Sequence, residues 1–286
     1  MIAVVGPGAV GGLLAALLHR AGTPVVAVAR PASAARIARE GLAVRSARYG
    51  DLTAAVPATT EVPPGADVIL AVKAYGLADV LPGVAAARPR EVLALLNGVG
   101  HAAAVAALPG RAVSGSVQVE AARSGGAVVH RGEALLVTVP DDAADLALLG
   151  ALTTAGVDVR TGGTQDEVLW RKLVFLAPVA LLTARTGAGL GEALAADPAT
   201  TDALVAEVAA LATAAGVPTE PAALRALLEK IPPTMRSSLS HDVAAGGPTE
   251  LEALGGDLLR RGRAAGVPTP ALARVVAELR ATVGAG

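Results

Sequence analysis

A glycine-rich loop between the first strand and the first helix constrains the fold of this chain more than any other feature. The apolar run Ile2–Val5 leads into Gly6–Gly11 (GPGAVG), a G-x-G-x-x-G pattern, and a helical segment over Ala9–Ala21 follows. In a dinucleotide-binding unit, the three glycines allow a tight turn, close approach of a pyrophosphate, and packing of the helix on the strand. The pyrophosphate then lies at the positive N-terminus of the helix. A glycine turn without a ligand is the alternative, but the order of strand, loop and helix favours binding. The residues expected to bind the dinucleotide here are Gly6, Gly8, Ala9, Val10 and Gly11.

Short β-rich runs alternate with helical stretches through the first half of the chain. Further strands are predicted at Pro24–Ala29, Val68–Val72 and Val92–Leu96, and helices near Leu77–Ala87 and His101–Leu108. This alternation predicts a parallel sheet with helices on both faces. Between residues 112 and 139, β-branched alternation around Ser124-Gly125-Gly126 predicts an antiparallel hairpin that closes the domain.

After Gly163 the pattern changes to long amphipathic helices. They are predicted over Ala199–Ala215, Ala222–Lys230, Pro248–Ala265 and Pro270–Ala281. We therefore predict an α/β protein with a Rossmann-type dinucleotide-binding domain at 1–163 and an all-helical substrate domain at 164–286. Whether the Ala- and Leu-rich helices of the second domain also form a homodimer stays open.

The composition excludes several classes of protein. No cysteine is present, which excludes a disulfide framework, a thiolate nucleophile, a cysteine-bound zinc and an iron–sulfur cluster. The four histidines are scattered singly, so we expect no metal site. A net charge of −1 argues against nucleic acid or an anionic membrane as partner. The longest apolar run, Leu173–Ala184, is shorter than the ~20 residues of a membrane span, and the N-terminus lacks a signal-peptide pattern, so we expect a cytoplasmic protein.

The end of the second predicted strand discriminates between dinucleotides. An NAD enzyme usually has Asp or Glu about 20 residues after the glycine loop, where it bonds the ribose 2′-hydroxyl. Here Val25–Ala29 is followed by Arg30, and a guanidinium would instead pair with a 2′-phosphate. We therefore expect NADPH as cofactor, with a solvated surface arginine as the alternative.

A few polar residues in apolar surroundings are candidates for chemistry. Lys73, Lys172 and Lys230 are the only lysines, and a partly buried lysine can lose its proton near neutral pH whereas arginine cannot. Lys73 and Asn97 each follow a predicted parallel strand, and the carboxyl ends of such strands face the ligand. No tyrosine is followed four residues later by lysine, as the active site of short-chain dehydrogenases requires. No lysine follows a glycine, which excludes a P-loop, and the G-x-S-x-G motif of serine hydrolases is absent.

Several short motifs together resemble the ketopantoate reductase (2-dehydropantoate 2-reductase) family over nearly the whole chain. The matching stretches are Gly6–Gly12, Val72-Lys73-Ala74, Asn97-Gly98, Trp170-Arg171-Lys172-Leu173, Ser237-Ser238 with Asp242, Thr249-Glu250 and Gly266–Pro270. The resemblance implies reduction of a small 2-keto acid by NADPH, with a Rossmann domain and a helical C-terminal domain.

The resemblance also implies roles for individual residues. Lys172 would be the general acid, and Glu250 would hold the lysine or a substrate hydroxyl. Ser238 would contact the substrate carboxylate, while Lys73 and Asn97 would line the nicotinamide and substrate sites. These roles suit the chemistry, because hydride delivery to a ketone leaves charge on its oxygen that an ammonium can stabilise and protonate. Ordinary surface charges on helices are the alternative for Lys172 and Glu250.

The chain departs from the family pattern at three asparagines. The family usually has asparagines four and eight residues after the catalytic lysine, and this chain has Leu176 and Ala180 at those positions. A third family asparagine is replaced by Gly255. The spacing predicts that Leu176 and Ala180 share a helix face with Lys172 and make the substrate site more apolar. Pro178 is also expected to interrupt and kink this helix.

These departures leave the substrate open. A site without hydrogen-bond partners for a substrate hydroxyl discriminates poorly between substrates that have this hydroxyl and substrates that lack it. The alternatives to 2-dehydropantoate are therefore a more apolar ketone or imine of secondary metabolism, or no reaction at all in an NADP(H)-binding sensor. His241, three residues after Ser238, would be either a further polar group of the site or a surface histidine.

Overall fold

The structure is a computed structural model, and it describes residues 1–284. It divides into two compact units. The first contains Met1–Leu96 and His101–Val168, and the second contains Asn97–Gly100 together with the chain from Leu169 onward. The segment Asn97–Gly100 thus belongs with the helical half, although it lies within the first half of the sequence. The domain limits 1–163 and 164–286 stay predictions.

The strands and helices of residues 1–284 follow one another in two blocks. The strands are β1 (Ile2–Val5), β2 (Val25–Val28), β3 (Leu42–Ser46), β4 (Leu52–Ala54), β5 (Ala58–Thr59), β6 (Asp67–Leu70), β7 (Glu91–Ala94), β8 (Arg111–Ser114), β9 (Ser116–Ser124), β10 (Ala127–Val139) and β11 (Asp158–Thr161). The helices are α1 (Ala9–Arg20), α2 (Pro31–Glu40), α3 (Leu77–Ala87), α4 (Ala102–Ala106), α5 (Ala147–Thr154), α6 (Gln165–Thr186), α7 (Leu190–Ala196), α8 (Pro198–Ala214), α9 (Pro221–Glu229), α10 (Ser238–Ala244), α11 (Asp257–Ala265) and α12 (Pro270–Gly284). Short 3₁₀ turns lie at Ala74–Gly76 and Asp141–Ala143, and a π-helical turn lies at Glu252–Gly256.

A parallel sheet forms the centre of the first unit. Its strand order is β5-β2-β1-β6-β7-β8, and every neighbouring pair is parallel. The strands are short and almost wholly apolar because both faces of the sheet are covered. Alternate side chains of β1 enter two separate cores: Ile2 and Val4 pack with α1, and Ala3 and Val5 pack on the opposite face. The predicted α/β class is confirmed.

A second sheet of the first unit was not predicted. Strands β11, β10, β3 and β4 lie side by side in that order, and β9 pairs with β10. The antiparallel hairpin predicted around Gly125-Gly126 is present as β9 and β10. It belongs to this second sheet, in which β10 also pairs in parallel with β3.

The second unit is helical, as predicted. Helices α8, α9 and α12 correspond to three of the predicted segments, and the fourth begins later, at Leu251, and passes through the π-helical turn into α11. Helix α6 continues through Pro178 for 22 residues, so the predicted interruption is wrong. A proline removes only one backbone donor, and the buried neighbours Ala177 and Val179 keep both sides of this position packed.

The chain was also searched for membrane-spanning helices. No single helix within residues 1–284 is long and apolar enough to cross a membrane. Helices α6 and α7 pass the length and composition test only as a pair, bent by 79° at the break between them.

Candidate active site

Two glycines of the loop after β1 are required by the packing of the protein itself. Gly6 has φ +85°, and a Cβ atom there would lie 2.6 Å from Val72 Cγ1. A Cβ at Gly11 would lie 2.3 Å from the carbonyl oxygen of Gly6. These positions therefore provide the tight turn and the close approach of helix and strand that the motif predicts.

The middle glycine is different, because nothing in the protein fills the space beside it. A Cβ at Gly8 would meet only the Gly6 carbonyl oxygen, at 3.9 Å. The first turn of α1, which includes Ala9 and Val10, contains no acidic residue and has no side-chain cap. The open space thus faces backbone N–H groups at a helix N-terminus, an arrangement that fits a pyrophosphate.

Two further cofactor candidates lie near strand ends of the same unit. Arg30 is exposed, two residues after β2, and precedes Pro31 at the start of α2. Lys73 is half-buried, three residues after β6, and its carbonyl oxygen accepts a hydrogen bond from Gly76 N at 2.9 Å. Because Val72 packs against the turn at Gly6, the chain leading to Lys73 lies beside the glycine loop. Their contacts with a cofactor stay predictions.

The second unit brings three candidates into one hydrogen-bonded chain. Lys172 Nζ, on α6, donates to Asn97 Oδ1 at 2.8 Å. Asn97 Nδ2 in turn donates to Glu250 Oε2 at 3.2 Å. The amide of Asn97 therefore lies between the ammonium and the carboxylate and contacts both. Sequence reasoning selected all three residues but did not predict this order.

The surroundings of Lys172 place its proton equilibrium close to neutrality. Burial lowers the pKa of Lys172 to about 8, and the negative charge of Glu250 opposes that shift by raising it. Glu250 itself is only 3% exposed. A lysine with this pKa is mostly protonated at neutral pH and still able to release its proton, as a general acid requires.

The segment that carries Asn97 lies directly on the π-helical turn. Gly98 has φ +84°, and a Cβ there would lie 2.8 Å from the carbonyl oxygen of Ala253. The carbonyl oxygen of Glu250 accepts hydrogen bonds from Ala253 N and Leu254 N. Glu250 precedes this helix directly, so the bend at Glu250 and the π-helical turn form one continuous segment that also supports the backbone next to Asn97.

The structure separates the residues that replace the family asparagines. Leu176 is half-buried, one turn along α6 from Lys172. Ala180 has no exposed surface, and its carbonyl oxygen accepts from Ser237 Oγ at 3.4 Å. Gly255 is buried, and a Cβ there would lie 2.6 Å from Val276 Cγ2. Leu176 is therefore the accessible position of the three, and substrate contact by Ala180 stays a prediction.

The two serines at the start of α10 differ in their environment. Ser238 and His241 are exposed. Ser237 is buried, caps α10 by accepting from Ser240 N at 3.0 Å, and lies 2.8 Å from Thr183 Oγ1. The structural role of Ser237 was missed, although a serine three residues before the capped N–H is a recognisable N-cap signal.

Sequence reasoning also missed Arg123, on β9. Its Nη1 donates to the carbonyl oxygen of Pro7 in the glycine loop at 3.4 Å, and its Nη2 donates to Gly126 O at 3.3 Å. No motif marks this arginine in the sequence.

The chain combines a parallel sheet, which carries a dinucleotide-type glycine loop, with a helical unit in which a lysine and a buried glutamate are linked through an asparagine, and this arrangement is typical of two-domain oxidoreductases. Residues 2–141 match the family described as ketopantoate reductase PanE/ApbA, and residues 166–283 match its C-terminal domain. The chain therefore belongs to the ketopantoate reductase family, and the resemblance drawn from its motifs is confirmed.

Individual relatives agree with this assignment. A 2-dehydropantoate 2-reductase of Mycobacterium tuberculosis is 34% identical over 284 residues, which cover 94% of this chain and 93% of the relative. The crystal structure of a PanE/ApbA family ketopantoate reductase from Ralstonia eutropha superposes with a TM-score of 0.88 at 30% identity, covering 100% and 99% of the two chains. A D-mandelate dehydrogenase with NADH and anilino(oxo)acetate has the same TM-score at 21% identity, with the same coverage, and shares the fold.

Proposed function

We propose that this protein reduces the carbonyl group of a 2-keto acid, 2-dehydropantoate or a related compound, with NADPH as cofactor and Lys172 as proton donor. The observation that carries the proposal is the chain of hydrogen bonds from Lys172 through Asn97 to Glu250. The 34% identical 2-dehydropantoate 2-reductase supports the choice of substrate class.

The proton chemistry follows from the position of the ammonium group. NADPH supplies the hydride when it is bound. Negative charge that develops on the carbonyl oxygen is stabilised by the Lys172 ammonium, which then transfers a proton from Nζ to that oxygen. An ammonium has three N–H donors, and one of them bonds Asn97 Oδ1, so two remain for the substrate. The carboxylate of Glu250 favours the charged lysine before the transfer.

The glycine loop and Arg30 would hold the cofactor. The space at Gly8 fits a pyrophosphate at the N-terminus of α1. Arg30 would pair with a 2′-phosphate, and Lys73 and Asn97 would lie near the nicotinamide. Because the D-mandelate dehydrogenase of the same fold was solved with NADH, the choice between the two dinucleotides needs a direct test.

The cofactor test compares kcat/KM for NADPH and NADH in the wild type and in Arg30→Gln. Arg39→Gln is the matched control, because Arg39 is an exposed arginine of α2 whose partner is Glu40. We expect Arg30→Gln to lose about tenfold or more with NADPH and to change little with NADH, because a charge-assisted bond to phosphate is lost. Equal losses with both dinucleotides would show that Arg30 does not read the 2′-phosphate.

A more apolar carbonyl is the second candidate substrate, and Leu176 is the observation that favours it. Its half-buried apolar side chain is one turn from Lys172, and Gly255 offers no side chain to bond a hydroxyl. Such a site would suit a bulkier and less hydroxylated ketone, keto acid or imine in secondary metabolism.

The deciding experiment measures NADPH consumption with 2-dehydropantoate and with apolar 2-keto acids such as phenylglyoxylate. Lys172→Ala is measured alongside, with Lys230→Ala, at an exposed lysine, as the control. Turnover of 2-dehydropantoate that collapses only in Lys172→Ala supports the proposal. Turnover of the apolar acids alone selects the second substrate class. Tight NADPH binding without turnover of any carbonyl overturns the enzymatic proposal and leaves a dinucleotide sensor.

A further inference from the structure

The segment Asn97–Gly100, here called the asparagine loop, contacts both members of an ion pair within α11. Asp257, the first residue of α11, is 8% exposed. Arg261 Nε donates to Asp257 Oδ2 at 2.8 Å, and Arg261 Nη2 reaches the carbonyl oxygen of Val99 at 3.5 Å. A Cβ at Gly100 would lie 3.1 Å from the Asp257 carboxylate, so the loop backbone rests directly on it.

The same arginine also contacts the helix that carries the lysine. The Arg261 guanidinium lies 6.0 Å from the ring centroid of Trp170, which is 2% exposed and two residues before Lys172 on α6. Arg261 therefore contacts the backbone two residues after Asn97 and a side chain two residues before Lys172. A cation over an indole ring is a favourable contact at this distance.

The asparagine loop needs such support because of its composition. Two of its four residues are glycines, which have the largest conformational freedom to lose on folding. A 2.8 Å hydrogen bond from Lys172 to Asn97 is lost if the amide moves by about 1 Å. Gly98 on Ala253 supports one end of the loop, and the pair of Asp257 and Arg261 supports the other.

We infer that Asp257 and Arg261 are positioning residues, which act through the asparagine loop to hold the amide of Asn97 between Lys172 and Glu250. The consequence for turnover rests on the function proposed above. The consequence for the proton equilibrium of Lys172 does not, because it needs no substrate.

Arg260 provides a matched control in the adjacent position. It also pairs with Asp257, at 3.3 Å, but its other partner is Glu252, at 4.0 Å, and more than half of its side chain is exposed. Arg260→Met thus removes a cation and one contact to Asp257 without removing the contact to Val99. Arg261→Lys keeps the charge, but a single ammonium lacks the planar fork that bridges Asp257 and the Val99 carbonyl.

The test is the titration of Lys172 by trace acetylation with acetic anhydride between pH 6 and pH 11, quantified by peptide mass spectrometry. With three lysines in the chain, each is resolved separately, and the exposed Lys230 is the internal reference. We expect Arg261→Met and Arg261→Lys to raise the pKa of Lys172, because a loosened loop admits water and weakens the effect of burial. A rise of about one unit would slow labelling at pH 7 about tenfold. Arg260→Met should match the wild type.

Each result decides the matter. A normal rate of Lys172 labelling in both Arg261 variants, or an equal change in Arg260→Met, overturns the inference. If the rate of Lys172 labelling changes in Arg261→Met but not in Arg261→Lys, the effect is due to the positive charge alone, and this result also overturns the inference. If Arg261→Met does not fold, as thermal unfolding would show, Arg261→Lys and Arg260→Met carry the comparison alone. If the pKa of Lys172 rises as expected in the Arg261 variants but the wild type reduces no carbonyl, the inference stands and the proposed function fails.

Discussion

Replacement of Glu250 by glutamine should shift the pH profile of catalysis in a calculable way. Glutamine keeps the shape of the side chain and an oxygen for Asn97 Nδ2, but removes the negative charge that raises the pKa of Lys172. Burial then acts alone, so the pKa of Lys172 falls below its wild-type value of about 8. Because a general acid must be protonated, the alkaline limb of kcat/KM for carbonyl reduction moves to lower pH.

The size of the shift follows from the charge separation. Two hydrogen bonds and an amide in series separate the ammonium and carboxylate by roughly 8 Å, and at an effective dielectric constant of about 20 this interaction is about 2 kcal/mol. That energy corresponds to about 1.5 pKa units, which places Lys172 near pH 6.5 in Glu250→Gln. The protonated fraction at pH 7.5 then falls from about three quarters to about one tenth, an eightfold loss. At pH 5.5 the two enzymes should differ by only about 10%.

The dependence of the loss on pH distinguishes this reasoning from simple damage to the site. The assay is NADPH consumption between pH 5.5 and pH 9 with the substrate that turns over best. Glu252→Gln is the control, because its exposed carboxylate pairs with Arg280 and lies only two residues away. A loss in Glu250→Gln that is the same at every pH, or an alkaline limb that moves upward, would refute the argument.

Three other changes have defined outcomes. Lys172→Met should abolish reduction and remove one pH dependence of the free energy of unfolding, measured by urea denaturation. Because burial lowers the pKa of Lys172 from 10.5 to about 8, the wild type should gain up to about 3 kcal/mol relative to the variant as pH rises through that interval, and a constant difference between the two would contradict this cause. Gly8→Ala should keep the wild-type Tm and lose NADPH affinity in a fluorescence titration, whereas Gly6→Ala should lower the Tm, and the reverse ranking would contradict the packing argument. Gly255→Asn, which restores the residue type of the family, should destabilise the protein by about 1–3 kcal/mol because its Cβ would collide with Val276, and recovery of 2-dehydropantoate turnover at unchanged stability would show that the site has room for it.

The sequence predicts those parts of the fold that depend on local patterns. The strand, glycine loop and helix at the N-terminus are found where expected, as is α3 at Leu77–Ala87, because apolar spacing and glycine or proline mark their ends. Strand β3 was missed because its pairing is non-local. Its partner β10 lies more than 80 residues further along the chain, and the alternation of more and less buried residues in LAVRS covers only five positions.

The candidate site shows the same limit. Lys172, Asn97 and Glu250 could be selected by residue type and by resemblance, because a rare lysine and a strand-end amide are visible in the sequence. Their contacts join positions 75 and 153 residues apart, so no spacing rule reveals that Asn97 lies in the middle. Arg261 was missed for the same reason, since its contact with Val99 crosses 162 residues.

The π-helical turn at Glu252–Gly256 has a consequence for what insertions and deletions this family member can tolerate. A π turn contains one residue more than an α turn, so it advances the helix by an extra residue without changing the direction of the residues beyond it. Each residue of an α-helix rotates the chain by about 100° and advances it by about 1.5 Å. Deleting one residue from this turn would let the turn adopt α-helical geometry. Deleting one residue from the following helix, α11, would instead rotate the helix beyond the deletion by about 100° relative to the π turn. The turn is thus the part of this helix in which a change of one residue in length should disturb the neighbouring contacts least.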